Sequence, residues 1–272
     1  YLKFPQFYSK FRVLIAKKIV KEAAIKANIL LVVSETIKDE LAEYTNKAKI
    51  KVIYNPSDTM LSKAYKEKKI IKNSDTAFGF LGKYILSVGI IEKRKNYINL
   101  IQAVNLLHSI GYDFKLVIVG NRSDDFQNII KLIDSKKLNN KIILYRNISD
   151  HNLKYLYKNS EGFIFQSIYE GFGIPIIEAL KLDVPMVLSN LKIFKEITEN
   201  KSFYFNPINI DSISNAIIEL LENNKKLVLD KIEKNNILKK FNKSKISNKL
   251  TDIYLTTKNL WYVWNIWNNK FW

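Results

Sequence analysis

Cysteine is absent from the 272-residue sequence, which excludes a disulfide framework and any thiolate metal site. This absence is typical of proteins of a reducing cytosol, and it predicts a cytoplasmic location. No apolar run approaches the ~18–20 residues that a helix needs to cross a bilayer, and no signal peptide is recognisable. The chain starts at Tyr1 without an initiator methionine, so we expect that an upstream portion has been lost.

Arginine is also rare, and it supplies only four of the 44 basic residues. The formal net charge is +18, so most of the positive charge comes from lysine. The lysines are spread along the whole chain, which is more typical of codon bias than of a nucleic-acid-binding strip, and no nucleic-acid partner is expected. The excess charge still predicts attraction to anionic surfaces, including an acidic membrane leaflet. A nucleic-acid binder is an alternative that rests on charge alone and predicts steep salt dependence of DNA binding.

Hydrophobic residues make up 47% of the chain and charged residues 26%, the balance of a folded protein with a real core. Residues 9–27 carry apolar positions at helical spacing with lysines between them, which predicts an amphipathic helix. Short strands are predicted at 29–33 and 51–54, and Ser34 is placed to cap a helix that runs through Leu41. The apolar positions of the first helix are Phe11, Leu14, Ile15, Ile19 and Ala23.

From Tyr84 onward, strands that are apolar on both faces alternate with helices. This alternation predicts a parallel sheet covered on both sides, and the right-handed crossover rule makes it a doubly wound α/β domain. Ligands of such sheets bind beyond the carboxyl ends of the strands, so the loops there are candidate sites. The predicted strands are 84–89, 115–120, 141–145, 162–166 and 185–189. The predicted helices lie near 96–109, 124–135, 150–158, 175–182 and 211–223.

The first candidate loop follows the strand at 84–89 and contains Gly89, Arg94 and Lys95. The two cations lie beside the N-terminus of a predicted helix, where the helix dipole already favours anions. They oppose that dipole, and a bound anion such as a diphosphate would explain them. A solvated basic turn is the alternative interpretation.

The second candidate loop joins the strand at 162–166 to the helix near 175–182. Its glycines, Gly171 and Gly173, permit close approach of the backbone to a ligand. Glu170 lies in this loop, and we predict that Glu178 lies in the first turn of the helix. If each glutamate stood alone, Glu170 would be read as a solvated loop acid and Glu178 as a complement to the helix dipole.

The second loop reads Tyr-Glu-Gly-Phe-Gly-Ile-Pro-Ile-Ile-Glu-Ala-Leu between two apolar strands. It strongly resembles the signature of the family-four retaining glycosyltransferases, which have the two-domain GT-B fold. Members carry two glutamates separated by seven residues, as Glu170 and Glu178 are here. The basic loop at 94–96 matches the donor loop of the same family. The resemblance covers roughly residues 20–256, and the Glu-Gly-Phe-Gly block is its most specific part.

The resemblance implies a role for each matched residue. Arg94 and Lys95 would hold the diphosphate of a nucleotide-sugar donor and stabilise the charge that grows on it as the glycosidic bond breaks. Glu170 would position the transferred sugar and its phosphate, and it completes the catalytic set. Glu178 would accept hydrogen bonds from the ribose hydroxyls. The other donor-binding positions are the strand-end glycine, the glycine-rich loop and the turn that would meet the nucleobase, namely Gly89, Gly171, Phe172, Gly173, Arg146 and Ile148.

Enzymes of this family are generally thought to retain anomeric configuration by front-face attack. They usually need no metal, so the resemblance implies neither a metal ion nor another cofactor. The sequence departs from the family in two informative places. Ile90 occupies a position where many members have arginine, so the diphosphate would depend more heavily on Arg94 and Lys95. The N-terminal histidine that contacts the sugar in many relatives has no counterpart.

The resemblance also sets the predicted domain boundaries. Residues 1–57 would be the last part of an acceptor-binding N-domain, 58–83 a linker, and 84–240 the donor-binding domain. The remainder, 241–272, would form a helix and an aromatic tail. All four tryptophans lie between 261 and 272, where they suit either a membrane interface or packing against the N-domain, unless this stretch is a non-native extension.

Together these observations predict a glycosyltransferase that moves a sugar from a nucleoside-diphosphate donor to a glycan or lipid-linked acceptor. We expect it to act in surface polysaccharide or glycolipid biosynthesis, in the cytoplasm or peripherally at the inner face of the cell membrane. The alternative is a truncated, catalytically incompetent sugar-nucleotide-binding module. The glutamate spacing disfavours an epimerase or a phosphorylase of the same fold, and the absence of a G-x-G-x-x-G helix start disfavours a nicotinamide-dependent dehydrogenase.

Overall fold

The structure is a computed structural model, and it describes residues 4–7, 9–56 and 81–256. Most of the predicted linker at 58–83 therefore lies outside the described residues. The tryptophan-rich stretch at 257–272 lies outside them as well.

The strands are all parallel to their neighbours and fall into two sheets. Their bounds are β1 (Leu30–Val32), β2 (Ile50–Val52), β3 (Tyr84–Val88), β4 (Lys115–Val119), β5 (Ile142–Tyr145), β6 (Gly162–Phe165), β7 (Met186–Ser189) and β8 (Phe203–Phe205). The larger sheet has the order β5-β4-β3-β6-β7-β8. Its strands β6 and β7 are buried along their whole length, as expected for parallel strands covered on both faces.

Helices cover both faces of the larger sheet, so the predicted doubly wound α/β domain is confirmed. The helices are α1 (Lys10–Lys26), α2 (Glu35–Leu41), α3 (Tyr97–Ser109), α4 (Phe126–Ser135), α5 (Asp150–Lys158), α6 (Ile174–Lys181), α7 (Lys192–Thr198), α8 (Ile210–Glu222), α9 (Lys231–Lys239) and α10 (Lys243–Thr256). One core cluster joins the sheet to α3, α4 and α8, and the other joins it to α5, α6, α7 and α9.

The strand order places a topological switch point between β3 and β6. The chain runs from β3 outward through β4 to β5, and then returns to add β6 on the other side of β3. Crossovers diverge at such a point, which opens a crevice at the carboxyl ends of the two strands. The loops after β3 and β6 are the two candidate loops, so the topology brings them together.

The N-terminal segment is held against the larger domain by side-chain contacts. The Ser34 hydroxyl caps α2 and also donates to the carbonyl oxygen of Gly171 at 3.0 Å. The Glu196 carboxylate accepts from the backbone N–H groups of Glu35 and Thr36 at 2.7 and 2.9 Å, so an anion from α7 complements the N-terminus of α2. The predicted boundary near residue 57 stays a prediction.

The buried face of helix α1 is not the face on which its large apolar residues Phe11 and Leu14 lie. Phe11 and Leu14 are 71% and 66% exposed. The buried face consists of smaller residues, Val13, Ala16, Val20 and Ala24. Small side chains allow the helix axis to approach its neighbours closely, and this explains why helical spacing of large apolar residues alone misplaced the buried face.

None of the helices in the described ranges combines the length and the apolar content that crossing a membrane requires.

Candidate functional site

The loop after β3 is locked to the loop after β4 by close backbone contact. The Gly89 N–H donates to the Val119 carbonyl oxygen at 2.9 Å. A side chain at Gly120 would place its Cβ atom 1.8 Å from the Gly89 carbonyl oxygen, so only glycine permits this approach. The hydroxyl of Tyr97 donates to the same oxygen at 2.9 Å. Gly89 therefore sits in a rigid strand end beside the switch point.

Glu170 is the centre of an ion-pair cluster that joins the two candidate loops. Its Oε1 atom lies 2.5 Å from Lys95 Nζ, and its Oε2 atom lies 2.8 Å from Arg94 Nη1. The hydroxyl of Ser167 also donates to Oε1, at 2.8 Å. The second guanidinium nitrogen of Arg94 lies 2.6 Å from Glu92 Oε1. Two cations thus face two carboxylates at the carboxyl ends of β3 and β6.

The two cations lie directly before the N-terminus of α3, as predicted. Lys93–Lys95 forms a short 3-10 helix, and Asn96 adopts a left-handed conformation with φ 59° before α3 begins. The Asn96 side chain holds this bend by donating to the carbonyl oxygens of Gln166 and Pro207. The charges of Arg94 and Lys95 are balanced by Glu170, which lies far from them along the chain, and by Glu92, which lies two positions before Arg94. The position of the two cations before a helix could not identify these carboxylate partners.

Burial and charge act in opposite directions on the Glu170–Lys95 pair. Burial alone would raise the pKa of Glu170, but the positive charges of Lys95 and Arg94 hold it at about 2. Burial lowers the pKa of Lys95, and the Glu170 carboxylate opposes that shift. Lys95 Nζ also lies 4.8 Å from the centre of the Phe165 ring, which adds a cation–π contact. Glu170 is therefore ionised, and it is not a solvated loop acid.

The sequence predicted Glu178 in the first turn of α6. In the structure it lies in the second turn, so this prediction is wrong. The helix begins at Ile174, one residue before Pro175, and this shift removes the simple dipole explanation for the carboxylate. Glu178 is 8% exposed, and its Oε2 atom accepts a hydrogen bond of 3.1 Å from the Tyr157 hydroxyl. Burial raises the pKa of Glu178 to about 7, against the opposing effects of Tyr157 and Lys181.

The glycine-rich loop is shaped by its neighbours from both sides. Gly173 has φ 146°, a conformation that favours glycine, and it directly precedes α6. The Phe172 ring is buried, with its centre 6.2 Å from that of Tyr54 and 5.7 Å from that of Phe241. Phe172 therefore fixes the loop through packing, and the backbone of Gly171 is tied to the N-terminal segment through Ser34.

The turn after β5 contains the residues that the resemblance assigns to the nucleobase. Asn147 adopts a left-handed conformation with φ 51°, and it separates the exposed Arg146 from Ile148. The Ile148 side chain packs against the core face that carries α5 and α6. The Ser149 side chain then caps α5 by accepting from Asn152 N–H at 3.2 Å. Their role in base recognition stays a prediction.

Three contributors to the site received no role from sequence reasoning. Tyr157 lies on α5, outside both candidate loops, and its hydroxyl reaches Glu178. Ser167 lies three positions before Glu170, a spacing at which a loop hydroxyl reaches a neighbouring carboxylate. Glu92 is the acidic residue directly before three basic residues, and this opposite charge could have predicted its ion pair with Arg94.

Within the described ranges, no group of three or more histidine, aspartate or glutamate side chains is placed to hold a metal ion. The prediction that the reaction needs no metal or other cofactor is not tested by this observation.

The two glutamates offer different chemistry at one edge of the sheet. Glu170 already neutralises two buried or half-buried cations, Lys95 and Arg94, which are groups that suit an anionic ligand. Glu178 accepts a hydrogen bond from the Tyr157 hydroxyl, and it suits a ligand that presents hydroxyl groups.

The chain is similar in sequence and in fold to known glycosyltransferases. A family profile described as Glycosyl transferases group 1 matches residues 80–240. The crystal structure of Alr3699/HepE from Anabaena, in complex with UDP and glucose, is similar with a TM-score of 0.75 and 18% identity. That match covers 93% of this chain and 69% of that chain. A glycosyltransferase structure from Rickettsia africae has a TM-score of 0.70 and 22% identity, with coverage of 89% and 68%. These similarities concern the fold, and they confirm the predicted GT-B type.

Curated relatives are similar in sequence over part of their length. O-antigen chain mannosyltransferase B of Escherichia coli is 28% identical over 228 residues, which are 80% of this chain and 58% of that protein. O-antigen chain mannosyltransferase RfbU of Salmonella typhimurium is 29% identical over 201 residues, 73% and 52% respectively. This chain spans little more than half the length of these two relatives. Because the family profile covers more than half of the 272 residues and includes both candidate loops, the chain belongs to the glycosyl transferases group 1 family.

Proposed function

We propose that this chain carries the donor-binding part of a glycosyltransferase that moves a sugar from a nucleoside-diphosphate donor to a glycan or lipid-linked acceptor, with retention of anomeric configuration. The observation that carries the proposal is the cluster of Arg94, Lys95 and Glu170 at the switch point of the sheet. A crevice at such a point is where open α/β sheets bind nucleotides.

The proposed chemistry depends on charge that develops on the leaving diphosphate. Arg94 lies nearer to solvent than Lys95, with side-chain exposures of 15% and 8%, and it is the cation better placed to exchange a carboxylate for a phosphate oxygen. Lys95 contributes a fixed positive charge in a poorly solvated place, where electrostatic stabilisation is strongest. Glu170 then orients both cations and offers its carboxylate to the transferred sugar.

The proposed biological setting is the synthesis of a surface polysaccharide or glycolipid. It is supported by the O-antigen mannosyltransferases that the chain resembles. The similar Anabaena structures contain UDP or UDP-glucose, which supports a nucleotide-sugar donor as a class. The alternative is a module that binds the donor without catalysing transfer.

We further propose docking to an anionic membrane leaflet, which would bring the chain to a lipid-linked acceptor. The net charge of +18 supports this proposal, and so does the exposed apolar side of α1, where Phe11, Leu14 and Ile25 stand among lysines. Sedimentation with phosphatidylglycerol vesicles is expected to be strong at low salt and weaker for a Phe11→Ser, Leu14→Ser variant. Equal sedimentation of both proteins would exclude α1 as the docking surface.

The donor site is tested by calorimetric titration of the chain with UDP, GDP and ADP. We expect saturable binding of one nucleotide and at least tenfold weaker binding by Arg94→Gln, because a charged hydrogen bond to phosphate contributes about 1.5–3 kcal/mol. Lys131→Gln removes an exposed lysine on α4 and serves as the matched control for charge. Binding of no nucleotide, or equal loss in both variants, would contradict the proposal.

Turnover separates the enzyme from the binding module. The chain is incubated with the matching nucleotide sugar and an acceptor glycan, and release of the nucleotide is measured. Nucleotide release that depends on the acceptor supports transfer, and analysis of the anomeric configuration of the product tests retention. Tight binding of the donor without any release supports the module.

A further inference from the structure

We infer that Tyr157 is a positioning residue for the donor, because its hydroxyl holds one carboxylate oxygen of Glu178 so that the other oxygen faces the ribose. The inference rests on the proposed donor-binding function, and it assigns a role to a residue outside the two candidate loops.

The geometry divides the two oxygens of Glu178 between different tasks. Tyr157 donates its hydroxyl proton to Oε2 at 3.1 Å. In the part of the chain that the structure describes, no protein group donates to Oε1. That oxygen is therefore available for a hydroxyl group that arrives with a ligand.

Tyr157 is well suited to fix an orientation because its own position is determined by packing. Its side chain is fully buried, and its ring centre lies 5.6 Å from that of Phe163 on β6. A second acceptor, the carbonyl oxygen of Pro175, lies 3.5 Å from the hydroxyl in the first turn of α6. The terminal torsion of a glutamate is broad, so without such a partner the carboxylate plane would be poorly defined.

The position of Tyr157 also links the ribose residue to the predicted base-binding turn. Tyr157 lies on α5, the helix that begins directly after that turn, whereas Glu178 lies on α6. The Tyr157 hydroxyl thus joins the two elements that would hold the nucleoside. Preorganisation of this kind reduces the entropy lost when a ligand binds.

The charged groups around Glu178 predict a pH dependence. Burial and the negative charge of Asp150 raise the pKa of the carboxyl group, whereas the Tyr157 hydroxyl and Lys181 lower it, and the result is about 7. The ionised form accepts hydrogen bonds from ribose, so nucleotide binding should strengthen as the pH rises through about 7. Removal of the Tyr157 hydroxyl takes away a stabilising bond to the carboxylate and should move that midpoint to higher pH.

The test compares Tyr157→Phe with Tyr84→Phe in the complete 272-residue chain. Tyr84 is a matched control because it is also buried and also loses one hydrogen bond, which it donates to the Leu156 carbonyl oxygen at 2.8 Å. UDP and GDP, together with their 2′-deoxy counterparts, are titrated into each protein between pH 6 and pH 9. The pKa of Glu178 is followed in parallel by NMR of its carboxyl carbon without nucleotide.

We expect Tyr157→Phe to bind the ribonucleotide about three- to tenfold more weakly at pH 7, as loss of one hydrogen bond to a carboxylate predicts. The midpoint should rise by about half a pH unit or more, and the loss should be smaller for the 2′-deoxy nucleotide. Tyr84→Phe should change neither the midpoint nor the preference for ribose.

Different failures have different meanings. Equal weakening of ribose and deoxyribose nucleotides by Tyr157→Phe, with an unchanged midpoint, would reduce Tyr157 to a structural residue and overturn the inference. Absence of nucleotide binding by the unaltered chain would instead contradict the proposed function. If the unaltered chain binds no nucleotide, the NMR titration still tests the inference. An unchanged Glu178 pKa in Tyr157→Phe would then show that the Tyr157 hydroxyl does not act on the Glu178 carboxylate.

Discussion

Glu170 and Glu178 lie eight positions apart in one motif, and both are buried, yet the structure treats them in opposite ways. Glu170 contacts two cations and a hydroxyl group, and its pKa is held at about 2. Glu178 accepts a hydrogen bond from a tyrosine hydroxyl, and burial raises its pKa to about 7. Burial therefore does not decide the protonation state of a carboxyl group until its partners are known.

The two shifts make opposite contributions to stability as the pH changes. The depressed pKa of Glu170 adds stability that is present above pH 4.5 and is lost as the pH falls toward 2. The raised pKa of Glu178 removes stability as the pH rises from 4.5 through 7. The first glutamate supports the fold, whereas the ionised form of the second destabilises it. In the proposed donor site, hydrogen bonds from ribose would offset that destabilisation.

The largest effect is expected from breaking the pair around Glu170. Lys95→Met leaves the buried carboxylate without its closest cation, and we expect a loss of about 3–5 kcal/mol in the free energy of unfolding. Chemical denaturation at pH 7.5 measures the change.

The control for this variant is a double-mutant cycle with Glu170→Gln. The double variant should be destabilised by less than the sum of the two single variants, because it leaves no unpaired charge. Additive losses would mean that the contact between Lys95 and Glu170 contributes no coupling energy.

A smaller effect of opposite sign is expected for Glu178→Gln. The ionised carboxylate is disfavoured by burial, so the neutral amide should raise the free energy of unfolding by about 2–3 kcal/mol at pH 8, while nucleotide binding is lost. The gain should disappear well below pH 4.5, where both folded and unfolded chains carry a protonated glutamate. Denaturation curves at the two pH values decide the matter, and a gain that is equal at both would show that charge is not its cause.

The smallest effect on stability and binding is expected for Glu92→Gln. This variant changes the charge around Arg94 and leaves its ion pair with Glu170 in place, so it tests the two partners of Arg94 separately. The guanidinium would keep Glu170 as its partner and lose Glu92, so the site would gain one net positive charge. We expect about two- to fivefold tighter binding of the nucleoside diphosphate at low salt, with a change in stability of about 1 kcal/mol or less.

Calorimetry at 20 mM and 200 mM NaCl checks this prediction, because the gain should shrink as salt screens the added charge. Weaker binding by Glu92→Gln would instead mean that Glu92 orients Arg94 for the ligand.

Much of this architecture could be predicted from local patterns. Apolar strands alternating with helices determine a doubly wound parallel sheet, because strands buried on both faces need helices on each side. The glycine-rich block and the basic loop follow β6 and β3, so their positions at the carboxyl edge of the sheet were predictable as well. The large apolar residues of α1 were misleading because the buried face of that helix is built from small side chains.

The amino-acid sequence alone thus determined the family, the fold and the positions of the two candidate loops. Only the tertiary structure decided which charges meet there, since Lys95 reaches Glu170 across 75 positions and Tyr157 reaches Glu178 across 21. Protonation depends on distance and burial in three dimensions, and neither quantity is encoded in the spacing of residues along the chain. The same two glutamates that look equivalent in the motif are therefore made different by the side chains that the fold packs around them.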